Sequence, residues 1–292
     1  MEVTLIIAAA TVLVILLSVY IHKESTGFKV TGYEYRTDKL KCDEFKIVLI
    51  ADLHDTDHGR GNDVIIEKID EIGPDIVCFA GDMITSCMEM RYDCSMTLSF
   101  IEKLALRYPV YYGMGNHEEI FKSHPDRFPG MYEELTERLN AANAHLLDDE
   151  VRIIPEAGLI IYGLGMEHEY YRRLVKRELP DDYLKDKFGP VREDLVSILL
   201  AHNPEYFEAY AAWHPDFVFS GHVHGGIINV PFLGGLISPS LKLFPKYDAG
   251  EFKKDKSVMI LSRGLGYHTV RIRIRNKAEI VSIRLIRDKR AK

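Results

Sequence analysis

The sequence predicts an α/β fold preceded by one apolar N-terminal helix. Three observations lead to this prediction. Short apolar runs rich in β-branched residues alternate with segments whose apolar residues recur at helical spacing, which is typical of α/β layering. Several of these runs end directly at Asp, Asn or His. An uncharged stretch long enough to cross a membrane stands before them.

The N-terminal stretch Val3 to Ile21 contains no charged residue. As a helix rising about 1.5 Å per residue, it spans nearly the whole hydrocarbon core of roughly 30 Å. A cleaved signal peptide is the alternative, but no Lys or Arg precedes the run and no AxA-like site follows it. We therefore predict an uncleaved transmembrane anchor over residues 1–22.

The rest of the chain is predicted to consist of a connector and a single domain. A polar connector is predicted over residues 23–44 and one domain over residues 45–292, since neither a repeat nor a low-complexity linker interrupts it. The positive-inside tendency favours a cytoplasmic domain because basic residues follow the apolar stretch. These residues are Lys23, Lys29, Arg36, Lys39 and Lys41.

The first part of the domain repeats a strand-and-helix pattern. The run FKIVLIA is typical of a buried strand, and the helix after it stops at Gly73-Pro74. Strands are predicted over residues 45–51, 75–80, 109–112 and 159–162. Helices are predicted over residues 62–72, 98–105 and 131–142.

The second part continues the pattern. A strand over residues 194–201 leads to His202, and Pro204 is placed to begin a helix that runs to Tyr210. Further strands are predicted over residues 216–220, 257–261, 270–275 and 278–286. In the third of these, Arg271, Arg273 and Arg275 alternate with isoleucines, which predicts a solvated strand face.

Residues of metal-ligand type recur where predicted strands end. They are Asp52 and His54, Asp82, Asn116 and His117, His202, and His222 and His224. Ligands bind at the carboxyl edge of α/β sheets because the loops converge there. Carboxylates and neutral imidazoles bind divalent transition metals, and this set exceeds what one ion needs. Two metal ions roughly 3.5–4 Å apart are the natural inference.

Two close cations need a shared anion between them, and a carboxylate on a tight Gly-Asp turn can supply it, so Asp82 is the predicted bridge. A bridging water then becomes a hydroxide nucleophile near neutral pH, which indicates phosphoester hydrolysis. His117 is the predicted proton donor to the leaving oxygen. Any one of these histidines alone is more often an ordinary hydrogen-bonded polar residue; the ordered set carries the prediction.

These residues resemble the calcineurin-like metallophosphoesterase superfamily. Its motif series DxH, GDxxD, GNH(D/E), a lone His and GHxH appears as Asp52-Leu53-His54, Gly81-Asp82, Gly115-Asn116-His117-Glu118, His202 and Gly221-His222-Val223-His224. The resemblance spans roughly residues 45 to 286. It implies a four-layer α/β/β/α sandwich of two mixed sheets flanked by helices.

The resemblance also implies a ligand set for two divalent ions, Mn²⁺, Fe²⁺/³⁺ or Zn²⁺. One ion is held by Asp52, His54, Asp82 and His224, and the other by Asp82, Asn116, His202 and His222. His117 is implied as the proton donor or transition-state stabiliser. Thr85 stands where the family motif often has a second Asp, a position that is not a usual metal ligand.

Residues 221–236, Lys246-Tyr247 and the segment 262–266 look like a membrane-associated subgroup that includes UDP-diacylglucosamine pyrophosphatase-like enzymes. That subgroup often has Gln after HGG, where this chain has Ile227. Residues 225–241 contain no charge and begin at the metal ligands, so they either receive an acyl chain or pack on the domain's own core. Asp55, Asp57 and His58 are candidates to line the substrate mouth.

The predicted activity is hydrolysis of a phosphodiester, phosphomonoester or pyrophosphate in a small-molecule or lipid-linked substrate. The net charge of −7 argues against a long nucleic-acid interface, so a nucleic-acid partner is not expected. Two alternatives remain open at this stage: a phosphoprotein phosphatase using the same site, and a non-catalytic metal-binding scaffold on the same fold.

Overall fold

The computed structural model describes residues 2–86, 93–172, 177–226, 228–230, 234–236, 243–267 and 272–289. Within them, two six-stranded mixed sheets pack face to face and carry helices on their outer faces. This is the α/β/β/α sandwich that the resemblance implies, and the sequence prediction of the fold class is confirmed. One apolar helix precedes the sandwich.

The first sheet has the strand order β1-β14-β2-β3-β4-β5. Strand β14 runs parallel to β1 and antiparallel to β2, whereas β2 to β5 are all parallel. The strands are β1 (Phe28–Thr37), β2 (Glu44–Ile50), β3 (Ile76–Ala80), β4 (Val110–Gly113), β5 (Ala144–Leu147) and β14 (Ala278–Arg287).

The second sheet has the order β12-β13-β9-β8-β7-β6, with antiparallel pairs at its two edges and parallel strands between them. Its strands are β6 (Glu150–Ile154), β7 (Leu159–Gly163), β8 (Val196–Leu200), β9 (Phe217–Ser220), β12 (Gly250–Lys254) and β13 (Ser257–Leu261). A separate two-residue pairing joins β10 (Asn229–Val230) to β11 (Gly234–Gly235).

Apart from the N-terminal helix, the helices of the described residues cover the outer faces of both sheets. The α-helices are α1 (Glu2–Thr26), α2 (Asp63–Ile72), α3 (Ser95–Ala105), α4 (Asn116–Ser123), α5 (Met131–Ala141), α6 (Tyr183–Phe188) and α7 (Phe207–Ala212). Short 3₁₀ helices span His168–Tyr171 and Pro204–Tyr206, the latter directly before α7. The predicted helix from Pro204 to Tyr210 thus divides into a 3₁₀ turn and α7.

Three apolar layers hold the sandwich together. One lies between the sheets, where residues such as Ile47, Cys78 and Ile198 are fully buried. The second packs α2, α3 and α5 on the first sheet, and the third packs α6 and α7 on the second. Burial on both faces explains why the central strands are continuous apolar runs without polar alternation.

Two of the differences from the sequence prediction lie near the ends of the chain. Residues 28–37, within the predicted connector 23–44, form the edge strand β1 of the first sheet. The predicted strand over residues 270–275 is wrong for its described part, where Ile274 makes a single bridge to Ile228. Arg273 is not on a solvated face either, because its guanidinium is buried and bonded to backbone carbonyls, whereas Arg275 is exposed. Arg271 lies outside the described residues.

Helix α1 projects from the sandwich. It is long and apolar enough to cross a membrane, and its span Val3–Thr26 has a mean hydropathy of 2.7. Its apolar side chains are largely exposed as far as Tyr20, whereas Ser25, in the last turn, is buried against the domain. The C-terminal end of the helix is therefore part of the folded domain.

Candidate metal centre

The predicted site residues come together where strands of both sheets end. Asp52 follows β2 and Asp82 follows β3 in the first sheet, while His202 follows β8 and His222 follows β9 in the second. Helix α4 begins at Asn116, so its first turn adds Asn116 and His117 to the same place. The carboxyl edges of the two parallel strand sets thus face one cleft.

The backbone at this cleft is strained. Asp52, His54, Asp82, His222 and His224 all have left-handed conformations, with φ between 46° and 74°. Non-glycine residues avoid this region, and each such residue costs on the order of 1 kcal/mol. Five strained residues in one cleft indicate that the fold holds these side chains in place for a function.

The first group of ligand atoms comes from Asp52, His54 and His224. Nε2 of His54 lies 3.1 Å from Nε2 of His224, which in turn is 3.3 Å from Oδ1 of Asp52. The backbone N–H of His222 donates to both oxygens of Asp52, at 2.9 and 3.1 Å, and so fixes this carboxylate. Two imidazole nitrogens facing one another beside a carboxylate are a suitable donor set for a transition metal.

The second and third groups share Asp82, which joins His54 and His117 in one and His202 and His222 in the other. Its Oδ1 accepts the backbone N–H of His117 at 2.9 Å, and Oδ2 lies 3.0 Å from Nε2 of His202. Oδ2 also lies 3.9 Å from Nε2 of both His54 and His117, so this one oxygen faces histidines of both groups. Asp82 occupies the central position that a bridging ligand requires.

Two glycines allow the Asp82 turn to approach helix α4 closely. A Cβ on Gly115 would lie 2.3 Å from both the backbone nitrogen and Oδ1 of Asp82, and one on Gly81 would lie 2.6 Å from the Gly115 backbone. Gly81 also has φ of 87°, which L side chains rarely adopt. These contacts explain why glycine precedes both Asp82 and Asn116.

His202 is oriented for metal binding by its other ring nitrogen. Nδ1 lies 2.6 Å from the backbone carbonyl oxygen of Ala80, to which it donates, so the lone pair of the neutral ring is on Nε2. Nε2 is buried and makes no hydrogen bond within the described residues, although Asp82 is close. This is the arrangement that metal-binding histidines use.

Asn116 carries a second unsatisfied acceptor. Its Oδ1 is buried and accepts no hydrogen bond from any described residue. Burying such an oxygen without a partner costs about 1–3 kcal/mol, which a metal ion at this position would offset. Together with the Nε2 atom of His202, this oxygen shows that the residues present suit divalent ions.

The charges in the cleft shift the pKa values of its residues strongly. Burial alone raises the pKa of Asp52, but His224, His202 and His54 outweigh burial and hold this pKa well below its usual value. Burial lowers the pKa of His202, yet Asp82 outweighs it and raises this pKa to about 9. Burial, with the neighbouring His202, lowers the pKa of His222 to about 3. Strongly shifted groups in one cleft are typical of a functional site.

His117 is held by Ser86. Nδ1 of His117 accepts the backbone N–H of Ser86 at 2.8 Å and lies 2.6 Å from its hydroxyl oxygen. An N–H donor at Nδ1 leaves the proton of the neutral ring on Nε2. Nε2 lies 3.9 Å from Oδ2 of Asp82 and so faces the candidate metal centre.

Glu118 is a residue whose role the sequence did not reveal, although it was part of the GNHE motif. Its carboxylate is fully buried and accepts the backbone N–H groups of Asp82, Met83 and Gly115 at 2.9–3.0 Å. The hydroxyl of Tyr112 donates to it at 2.6 Å. Glu118 therefore joins the Asp82 turn to the start of helix α4.

The sequence profile of the calcineurin-like phosphoesterases matches residues 45–226. The chain belongs to this family. As a metallophosphoesterase it is a hydrolase of phosphoric ester or anhydride bonds, and the family together with the ligand groups implies divalent metal ions.

Several relatives of this metallophosphoesterase resemble it over most of their length. It is 25% identical to an uncharacterized metallophosphoesterase, YkuE, of Bacillus subtilis, over 82% of this chain and 78% of the relative. It is 24% identical to phosphodiesterase YaeI of Escherichia coli, over 91% of this chain and 92% of the relative. It is also 24% identical to the UDP-2,3-diacylglucosamine pyrophosphatase LpxG of Chlamydia muridarum, over 91% of each chain.

This family member departs from the usual motif at Thr85, whose backbone N–H donates to Asp55 at 2.8 Å. The other oxygen of Asp55 accepts the hydroxyl of Thr97 at 2.6 Å. His58 packs edge-on against Phe28, with its Nε2 2.9 Å from the carbonyl oxygen of Leu265. Ile227 and parts of the uncharged segment 225–241 lie outside the described residues.

Proposed function

We propose that this chain is a dinuclear-metal phosphoesterase that hydrolyses a phosphodiester, phosphomonoester or pyrophosphate. The observation that carries the proposal is the central position of Asp82, which belongs to ligand groups on both sides of the cleft. The proposed ligands of one ion are Asp52, His54, Asp82 and His224. Those of the other are Asp82, Asn116, His202 and His222.

The bound ions would lower the pKa of the attacking water and neutralise charge on the phosphoryl oxygens. The side chains of the protein supply the rest of the mechanism. Asp82 and the other proposed ligands would hold the ions and so fix where the phosphoryl group binds, and the water oxygen forms the new P–O bond while the bond to the leaving group breaks. Nε2–H of His117 donates a hydrogen bond to the leaving oxygen and stabilises the negative charge that develops there, and the Ser86 N–H at Nδ1 keeps the ring in this tautomer. The leaving oxygen then takes its proton from solvent.

We further propose a lipid-linked substrate and a membrane location. The relative LpxG is named for a pyrophosphatase reaction on a diacylated sugar nucleotide, which supports this substrate class. Helix α1 supports anchoring because its apolar surface is exposed over the length of a bilayer core. The positive-inside tendency favours the cytoplasmic side, and this orientation stays a prediction.

The two other functions considered from the sequence have less support. The three groups of ligand-type residues and the fixed tautomer of His117 support an enzyme, because a non-catalytic scaffold would not need them. If the purified protein hydrolyses phosphopeptides but not lipid-linked phosphates, the result would favour a phosphoprotein phosphatase.

The experiment uses full-length protein in detergent with added Mn²⁺ and bis(p-nitrophenyl) phosphate as substrate. We expect hydrolysis, and His117→Ala should lower turnover by about 10²–10³-fold without loss of metal, because it removes only the hydrogen-bond donor to the leaving oxygen. Asp82→Ala should lose both metal and activity. Absence of hydrolysis with every divalent ion tested would refute the proposed function.

A further inference from the structure

A cavity of about 710 Å³ connects the end of helix α1 to the candidate metal centre. One wall is formed by the helix residues Ser18, Ile21, His22 and Ser25, and the opposite wall includes His54, one of the proposed metal ligands. The volume lies in the range of small-molecule binding sites, about 300–1,000 Å³. The helix is thus a wall of the cavity as well as a candidate anchor.

The helix residues of this wall lie on one face. Positions 18, 21, 22 and 25 follow the spacing of three and four that brings side chains onto the same side of a helix. N-terminal to these residues, the apolar side chains of α1 are exposed. Ser25, the last residue of this face, is buried against the domain. If α1 spans a bilayer, the cavity therefore opens at the level where the membrane surface meets the protein.

A chain of hydrogen bonds connects the C-terminal end of α1 to the backbone of Asp52 in the candidate metal centre. The backbone N–H of Arg273 donates to Oγ of Ser25 at 3.0 Å, and its guanidinium donates to the carbonyls of Gly264 and Gly266. The N–H of Gly266 in turn donates to the backbone carbonyl of Asp52 at 2.6 Å. The helix end thus has a fixed position relative to a proposed metal ligand.

The part of the cavity wall that contains Asp55 and Asp57 is also held in place by hydrogen bonds. The Asp55 carboxylate accepts hydrogen bonds from Thr85 and Thr97, and Oδ1 of Asp57 accepts the N–H of Gly59 at 2.7 Å. These bonds hold Asp55 against two distant segments of the chain and Asp57 within its own loop, and so stabilise the wall. One end of the cavity carries ligand-type groups and the other meets the exposed apolar surface of α1.

We propose that helix α1 is part of the substrate site: it guides an amphiphilic phosphate ester or anhydride whose chain lies along Ser18 and Ile21 while its phosphate reaches the metal centre. The proposal rests on the proposed function. It assigns to α1 a role in substrate selection, which an anchor alone would not have.

The test uses full-length protein in mixed detergent micelles with Mn²⁺ and two p-nitrophenyl phosphodiesters that differ only in the second ester group, methyl or hexadecyl. Wild-type protein should have a higher kcat/KM for the hexadecyl ester. Ile21→Trp and Ser18→Trp should each lower this kcat/KM about tenfold, because the indole fills the path of the chain, while the methyl ester is hydrolysed within about twofold of wild type. Leu16→Trp, on the opposite face of α1, should change neither.

The outcomes separate the two proposals. Hydrolysis of neither ester by the wild-type protein would overturn the proposed function and this inference with it. Hydrolysis of the methyl ester without preference for the hexadecyl ester, or an equal response of both esters to Ile21→Trp and Ser18→Trp, would overturn the role of α1 alone. An effect of Leu16→Trp as large as that of Ile21→Trp would do the same.

Discussion

Glu118 shows how a single buried side chain fixes the centre of the site. One of its oxygens accepts the N–H groups of Asp82 and Gly115, and the other accepts Met83 N–H and the Tyr112 hydroxyl. Burial and the nearby Asp82 raise the pKa of this carboxyl, which means that the ionised form costs free energy at this position. The four hydrogen bonds offset that cost and hold the carboxylate in place. Glu118 is thus a positioning residue for the proposed bridging ligand.

Replacing Glu118 by Gln should weaken metal binding. The amide would direct an NH₂ group at one pair of donors, so the Asp82 turn would lose the N–H contact of Asp82 or of Met83. Loss of such an outer contact typically lowers metal affinity by about 10–100-fold. We expect the Mn²⁺ concentration for half-maximal activity to rise by this factor, while the secondary structure measured by circular dichroism is unchanged.

The neighbouring Glu119→Gln is the matched control for this experiment. It makes the same chemical change one residue along α4, and at pH 8 it should leave the Mn²⁺ requirement unaltered. An equal effect of the two substitutions would show that Glu118 contributes only to general stability.

Glu119 itself predicts a pH dependence of stability. Burial is the main cause that raises its pKa from 4.5 to about 7. The folded state therefore holds a proton that the unfolded state releases, so this residue lowers stability as pH rises from about 4.5 to about 7 and contributes nothing further above that. We expect the apparent Tm of the wild type to fall relative to that of Glu119→Gln across this window. Parallel curves for the two proteins would contradict the assignment.

The sequence pointed to the proposed ligand residues but not to the groups that orient them. Asp52, Asp82 and His202 were found because apolar strands end at them, a signal that depends only on local pattern. Ser86, Glu118 and Ala80 act through contacts between distant parts of the chain. The carbonyl of Ala80 has no side-chain signature at all, so no sequence pattern could have identified it.

At the scale of elements, the segment after β13 links the second sheet, helix α1 and the candidate metal centre. The N–H of Leu265 donates to the Ala51 carbonyl at 3.0 Å, directly before Asp52. The guanidinium of Arg273 donates hydrogen bonds to backbone carbonyls of residues 263, 264 and 266 in this segment. Alternation of Ile and Arg predicted a strand here, but the buried guanidinium replaces strand pairing with side-chain bonds to the backbone.

Arg273→Ala should destabilise the protein. The substitution leaves several buried carbonyls without donors, and hydrogen bonds to charged groups are each worth about 1.5–3 kcal/mol, so we expect a loss of about 3 kcal/mol in the free energy of unfolding. Thermal unfolding in detergent measures the effect as a drop in apparent Tm. Arg275→Ala, at an exposed position, is the control and should leave Tm unchanged. A Tm for Arg273→Ala equal to that of the wild type would show that the guanidinium is dispensable.

The elements that the sequence predicted were those with a strong internal pattern. Strands β2, β3, β8 and β9 are buried on both faces, so their sequences are continuous apolar runs. Strand β1 was missed because it is an edge strand with exposed polar residues, and its place is set by pairing with β14, far along the chain. Helix α4 was missed because it is short and begins with the residues that form the site.

For the whole molecule, the alternation of strands and helices predicted an α/β fold, and the family resemblance carried by the motif series implied the four-layer sandwich. The arrangement of helix α1 against the site was beyond the sequence. It depends on the burial of Ser25 and on the bonds of Arg273, which join residues almost at opposite ends of the chain.

The central claim is that two metal ions share Asp82 and act together in hydrolysis. Titration of metal-free full-length protein with Mn²⁺, while hydrolysis of bis(p-nitrophenyl) phosphate is followed, tests it most directly. We predict that activity rises to a plateau at about two equivalents of Mn²⁺ per chain, because neither ion alone completes the site. Full activity at one equivalent, or activity that persists without any divalent ion, would contradict the account.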